Sequence, residues 1–309
     1  TEKSDDGLEG AVIDDRYRID KMLSKGGMGM VYQATHTVLD KPLAFKVMLQ
    51  PQDEAARQRF LLEAKLAVQV RHRNIVDVVD FGVLSTNQPF LVMEFLVGQT
   101  LAELIEQGPI PPARMCFLAS QVACGLGEVH RKGIVHRDLK PGNVFLDKHG
   151  PFPNFVKVLD FGIAKVMEPE GGEVLKTTTG AILGTPTYMS PEQCRGIGKT
   201  TEKSDIYSLG AMLYQMLSGQ PPFVGSGAGD LIAMHIMEKP RPLRELAANV
   251  SPEIETLVHQ MLEKKPDERP SMRQVLQGLE QLGLSSTASG VEISSVSTMR
   301  SAKIISVFR

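Results

Sequence analysis

The stretch His136-Arg137-Asp138-Leu139-Lys140-Pro141-Gly142-Asn143 decides how this chain is read. One short loop, interrupted by a proline, carries an aspartate, a lysine two places later and an asparagine five places later. Moving a phosphoryl group onto a hydroxyl requires a carboxylate that orients the alcohol and takes its proton. It also requires a cation beside the γ-phosphate and an oxygen ligand for a hard metal. Asp138, Lys140 and Asn143 offer these groups in turn. Downstream, Asp160-Phe161-Gly162 follows the apolar run Val156–Leu159, 22 residues past Asp138. An aspartate before glycine at a strand end is a common turn. Placed after that loop, it is also a candidate second metal ligand.

Working toward the N-terminus, Leu43, Phe45, Val47 and Leu49 alternate with Ala44, Lys46 and Met48, the period of a strand. Lys46 is either an edge lysine reaching water or an ammonium held inward for a ligand. Residues 53–70 read as a helix, with Asp53-Glu54 at its start and Arg71-His72-Arg73 just beyond it. Ala56, Phe60, Glu63, Ala67 and Val70 share one helical face. Glu63 is therefore an exposed acid on a poorly aligned helix, or a buried carboxylate in need of a partner, with Lys46 the candidate. Gly26-Gly27-Met28-Gly29 lies between two strands, whereas a dinucleotide-binding glycine loop opens a helix. These glycines serve a plain hairpin or a flap whose amides approach phosphates.

The remainder sets the frame. Residues 17–95 are strand-rich, with Phe90-Leu91-Val92-Met93 a buried strand and Gly98 a break. From about residue 100 the period turns helical: 113–131, stopped by Gly133, then 203–218, 252–263 and 271–282. Residues 165–202 form a long Gly, Thr and Pro-rich stretch, and a loop of that length in a compact domain is usually functional. The acidic segment 1–15 and the Ser/Thr-rich tail 283–309 read as flexible. Between them the domain reading is 16–95 and 96–282. Lys plus Arg number 34 and Asp plus Glu 36, a net charge of −2, which gives no global pull toward nucleic acid or an anionic membrane. The three cysteines lack metal-ligand spacing and read as reduced thiols of a cytosolic setting. No run of 18 apolar residues offers a membrane span. The missing start Met hints at a fragment of a longer protein, whose other parts could be membrane-anchored.

Taken together these motifs resemble the eukaryotic-like (Hanks-type) protein serine/threonine kinases, most of all the bacterial members, from about Tyr17 to Leu282. The resemblance implies a two-lobed α+β fold: a small β-rich N-lobe with one key helix, a hinge near Glu94–Gly98, and a larger, mainly α-helical C-lobe. It implies a non-specific serine/threonine protein kinase that moves the ATP γ-phosphoryl group to protein hydroxyls. Mg2+ is the implied ion, with Mn2+ the possible substitute. Lys46 then positions the α/β-phosphates and Glu63 positions Lys46. Asp138 takes the hydroxyl proton, Lys140 neutralises developing charge, Thr185 bonds both, and Asn143 and Asp160 hold the metal. Around the nucleotide the resemblance sets Leu23, Ser24, Gly26, Gly27, Met28, Gly29 and Val31 from the flap. Ala44, Met93 and Phe145 enclose the base, and Glu94 and Leu96 bond it through their backbones. Arg137 becomes a receptor for phosphate on Thr177 or Thr179, the implied autophosphorylation sites. Asp205 is the implied anchor of the catalytic-loop backbone, and Arg269 the implied partner of Glu192.

Two departures stand out. Ser24 occupies the position of the family's first loop glycine, where a side chain stiffens the flap or crowds the ribose. Ser190-Pro191-Glu192 begins with Ser where Ala is frequent. The rival readings are a pseudokinase scaffold that binds nucleotide without transfer, and a small-molecule kinase. The first predicts loss of Lys46, Asp138, Asn143 or Asp160, all present; the second lacks a segment like Gly184–Glu192. Expected partners are ATP and protein substrates, with a homodimer the candidate for trans-autophosphorylation and no nucleic acid.

Overall fold

The computed structural model describes residues 7–26, 29–48, 67–160, 186–196 and 200–288, together with Gln58, Leu61, Ala64 and Lys65. The strands are β1 Val12–Ile13, β2 Tyr17–Gly26, β3 Gly29–His36, β4 Lys41–Met48, β5 Val78–Val83 and β6 Pro89–Glu94. They form one antiparallel sheet in the order β1-β2-β3-β4-β6-β5. A second sheet joins β7 Gly98–Thr100, β8 Val144–Asp147 and β9 Phe155–Val158. The helices are α1 Leu101–Glu106, α2 Pro112–Arg131, α3 Pro191–Arg195 and α4 Glu202–Ser218. They continue as α5 Ala228–Met237, α6 Pro252–Met261 and α7 Met272–Ala288. A β-rich N-terminal lobe thus precedes a helical one, the two-lobed α+β architecture that the motifs imply.

The alternation in β4 divides its side chains between two cores. Leu43, Phe45 and Val47 join Tyr17, Ile19, Tyr32, Phe90 and Val92 in a cluster confined to the first lobe. Within it the Phe45 and Phe90 rings stack 4.7 Å apart. Met48, with Ala44 packed against its edge, belongs instead to the large core that continues through Leu91 and Met93 into the helices. A strand buried on both faces needs no polar stripe, so a lysine on it demands a reason.

The centre of the second lobe is α4. Ile206, Tyr207, Leu209, Met212, Leu213 and Leu217 are all buried, which marks a helix enclosed on nearly every side. Thr201 caps its start by accepting a hydrogen bond from the Lys203 amide, and Gly219 ends it in the left-handed conformation at φ +81°. Helix α2 begins with Pro112 at its first turn, where a missing N–H costs nothing, and α7 packs along it.

The structure departs from the sequence reading at both ends. Residues 7–15 are ordered against the sheet rather than loose: Val12 and Ile13 pair with Arg18 and Tyr17, and Glu9 Oε1 accepts the Met22 amide at 2.7 Å. Their acidic composition masks a two-residue strand too short to show a period. At the other end α7 continues to Ala288, past the expected stop at 282, because Gly283 and the serines after it lack a strong stop such as proline. Helices α1 and α5 and strand β5 also escaped the periodicity reading. Residues 161–185, 197–199 and 289–309 lie outside the described residues, as do Gly27, Met28, Phe60 and Glu63.

Candidate active site

The catalytic loop is built on a buried carboxylate. Asp205, on the first turn of α4 and 1% exposed, accepts the amides of His136 at 2.8 Å and Arg137 at 3.0 Å. His130 Nε2, from the last turn of α2, lies 2.7 Å from the same carboxylate. This fixes Arg137 at φ +65°, a left-handed conformation that costs a non-glycine residue energy and persists where surroundings impose it. The Arg137 carbonyl in turn accepts Gln193 Nε2 from α3 at 2.8 Å. The loop is therefore clamped from α2, α3 and α4 before any ligand is considered.

Its functional side chains converge. Lys140 Nζ meets Asp138 Oδ2 at 2.8 Å. The Asn143 amide nitrogen donates to the Asp138 carbonyl at 2.8 Å and reaches its carboxylate at 3.3 Å. With the NH2 group so engaged, Asn143 Oδ1 is the atom oriented for a cation. Leu159 connects this loop to Asp160: its amide donates to the Asn143 carbonyl at 2.8 Å, and its own carbonyl lies 2.8 Å from His136 Nε2. A carbonyl can only accept, so Nε2 carries the proton and Nδ1 faces the Asp138 amide at 3.3 Å. His136 therefore ties Asp138 to the residue preceding Asp160.

Lys46 approaches from β4. Its side chain is 9% exposed, and Nζ forms an ion pair with Asp160 Oδ2 at 2.7 Å. This accounts for a lysine on a doubly buried strand: its charge bridges the two lobes. The partner expected from sequence, Glu63, lies outside the described residues, although Ala64, Ala67 and Val70 of the same segment are buried. Oxygen donors from Asn143 and Asp160 suit a hard cation such as Mg2+, which keeps few protein ligands and completes its shell with phosphate and water.

On the sheet, register sets the nucleotide candidates side by side. Val31 opposes Lys46, and Ala44 opposes Met93, so these four share one face. Ser24 opposes Val31 next to a register shift, with Leu23 in the bulge, and Gly26 opposes Gly29. Gly29 has a structural reason of its own: at φ +145°, an added Cβ would lie 2.0 Å from the Val47 carbonyl. Phe145 opposes Thr100 on β8, and Leu96 packs against the large core. The Glu94 side chain, unread from sequence, bonds Lys157 Nζ at 2.6 Å and the Asp77 amide at 2.8 Å, which secures the hinge to β9. Thr177, Thr179 and Thr185 lie outside the described residues, so their sites are not placed here.

Comparison with known proteins agrees with this geometry. The model of the protein kinase domain matches residues 17–279. The chain belongs to the protein kinase family. Among curated relatives, the serine/threonine-protein kinase pkn3 of Myxococcus xanthus is 38% identical over 271 residues, covering 86% of this chain and 49% of that protein. The serine/threonine-protein kinase pkn2 of the same organism is 40% identical over 264 residues, 84% of this chain and 31% of that protein. PknB of Mycolicibacterium smegmatis is 38% identical over 264 residues, 83% of this chain and 41% of that protein. The chain thus spans half or less of the length of these relatives.

Beneath the loop, this kinase domain carries a second ion pair, between the buried Arg269 and the partly buried Glu192. Glu192 receives both terminal nitrogens of Arg269 at 2.8 Å, and Ser204 Oγ donates to it at 2.6 Å. Burial pushes the Glu192 carboxyl up, but the Arg269 guanidinium and the Ser204 hydroxyl override it and take its pKa down to about 2. Ser190, in place of the frequent alanine, accepts the Gln193 amide and caps α3, so this departure strengthens the helix that holds Arg137. Among the described residues no helix is long and apolar enough to cross a membrane.

Proposed function

We propose that this kinase domain transfers the γ-phosphoryl group of ATP to serine and threonine hydroxyls of protein substrates. The observation that carries the reading is the convergence of Lys140 and Asn143 on Asp138, in a loop joined through Leu159 to Asp160. Asp138 orients the substrate hydroxyl and accepts its proton, and Lys140 neutralises charge on the group in transit. Asn143 and Asp160 would hold Mg2+, or Mn2+ in its place, and such an ion when bound offsets the phosphate charge. Lys46, supported by Glu63, directs the α- and β-phosphates, and Thr185 orders Asp138 and Lys140. The flap Leu23–Val31, with Ala44, Met93, Phe145 and the backbone of Glu94 and Leu96, forms the nucleotide pocket. Arg137 receives phosphate placed on Thr177 or Thr179, in trans within a homodimer. A cytoplasmic site of action, with access to ATP, follows from the same reading.

Asp138→Asn keeps the shape of the loop but removes the proton acceptor. Transfer of label from ATP to a generic basic protein should fall by about 100-fold or more, the scale of a general-base contribution. Nucleotide binding should survive. Equal transfer by the variant would refute the assignment; nucleotide binding without transfer by the wild type would make the domain a scaffold.

A further inference from the structure

Helix α5 is apolar on most of its surface yet carries a fully buried histidine, His235. Both ring nitrogens are engaged. Nε2 lies 3.1 Å from the Thr187 carbonyl, so Nε2 bears the proton. Nδ1 lies 2.9 Å from the Tyr207 hydroxyl, so Tyr207 donates to it. Lys264 Nζ sits 3.5 Å from that hydroxyl oxygen and donates to the carbonyls of His235 at 2.9 Å and Met234 at 3.3 Å, at the C-terminal turn of α5. It is sandwiched against aromatic faces, 4.5 Å from the Phe223 ring centroid and 5.7 Å from that of Tyr207. The donors therefore run one way, from Lys264 to Tyr207 to His235, and end on the main chain of Thr187. Burial, with the Lys264 ammonium next to it, holds the His235 pKa down to about 4, which keeps the ring in the neutral form this direction requires.

The end point is a loop, and its position matters. Thr187 is the centre of the 3-10 turn Pro186–Tyr188, which starts immediately after Thr185. The carbonyl of the next residue, Tyr188, is held by Ser208 Oγ at 2.7 Å. Tyr188 and Pro141, three residues past Asp138, line the same cavity of about 780 Å3, bounded by α1 and the C-terminal end of α4. The 3-10 turn, through Tyr188, and the loop that carries Asp138, through Pro141, thus face one cavity.

We propose that His235 is a positioning residue for protein substrates: by holding the Thr187 carbonyl it sets the Pro186–Tyr188 turn as the wall on which the chain flanking the phosphoacceptor lies. This rests on the kinase reading above. The geometry predicts a separation of substrate effects. Among the described residues, none of those assigned to the nucleotide site bonds to this relay, so it should act on the protein substrate and leave ATP alone.

The test is steady-state kinetics with myelin basic protein as phosphoacceptor, on His235→Leu, His235→Gln and Tyr207→Phe, each checked for a cooperative thermal transition. His235→Leu should raise KM for the protein about tenfold or more while KM for ATP stays within about twofold. Gln, whose amide can still donate to Thr187, should recover most of that loss, and Tyr207→Phe should fall between. A histidine that merely fills the core would lower thermal stability and active fraction without moving KM for the protein, and that result overturns the proposal while sparing the kinase reading. A wild type that labels no protein overturns the kinase reading, and this inference with it.

Discussion

The two lobes handle buried charge differently. In the helical lobe the buried Asp205 and the partly buried Glu192 collect several donors from their own lobe: Asp205 from His136, Arg137 and His130, and Glu192 from Arg269 and Ser204. In the β-rich lobe Lys46 is matched across the cleft, by Asp160 at the end of the other lobe's second sheet. The catalytic loop is thus formed by folding alone. The lysine's geometry depends on how the lobes meet, which is where a nucleotide can act.

That contrast can be broken most severely at Asp205. Asp205→Ala leaves two buried amides and a histidine without an acceptor, and should lower the unfolding free energy by about 3–5 kcal/mol, read by chemical denaturation. A cost under about 1 kcal/mol would mean the loop holds itself and that the clamp is incidental. Glu192 comes next. Glu192→Gln removes a charge-assisted fork and should cost about 1–3 kcal/mol at neutral pH. Its signature lies in acid. The folded pKa of about 2 is below the ordinary 4.5, so this stabilisation is full above 4.5 and is lost as pH falls through about 2. Thermal midpoints recorded from pH 5 to 2 should therefore fall more steeply for the wild type than for the variant. The smallest stability effect belongs to Lys46. Lys46→Met removes the pair with Asp160, whose acid is one-third exposed, so stability should change by less than about 1 kcal/mol, even as phosphoryl transfer is lost. A cost equal to that of Asp205 would erase the difference between the lobes.

Much of the site was legible because its chemistry is local. Asp138, Lys140 and Asn143 are within five residues of one another, and a loop that short brings them together almost regardless of the rest. Asp160 could be placed because a strand end and a glycine bracket it. What stayed illegible has long sequence separation and no period. Nothing about Gln193 announces that it holds the Arg137 carbonyl 56 residues away. Glu94 was read for its backbone, while its side chain fastens the hinge to Lys157. His235 lies on a helix that the periodicity reading missed, and its partners Tyr207 and Thr187 come from separate segments.

The sequence by itself determined the family, the strand that carries Lys46, and the loop that carries Asp138. The family rests on the resemblance of several motifs taken together; the strand and the loop rest on period or spacing over a few residues, where backbone geometry leaves little choice. Only the tertiary structure decided which further partners the charges take: Asp160 for Lys46, His130 for Asp205 beside the loop amides that the resemblance implied, and a one-way relay from Lys264 to Thr187. A buried charge or ring nitrogen must be satisfied, but any donor that packing delivers can satisfy it, and packing is set by contacts far apart in the chain.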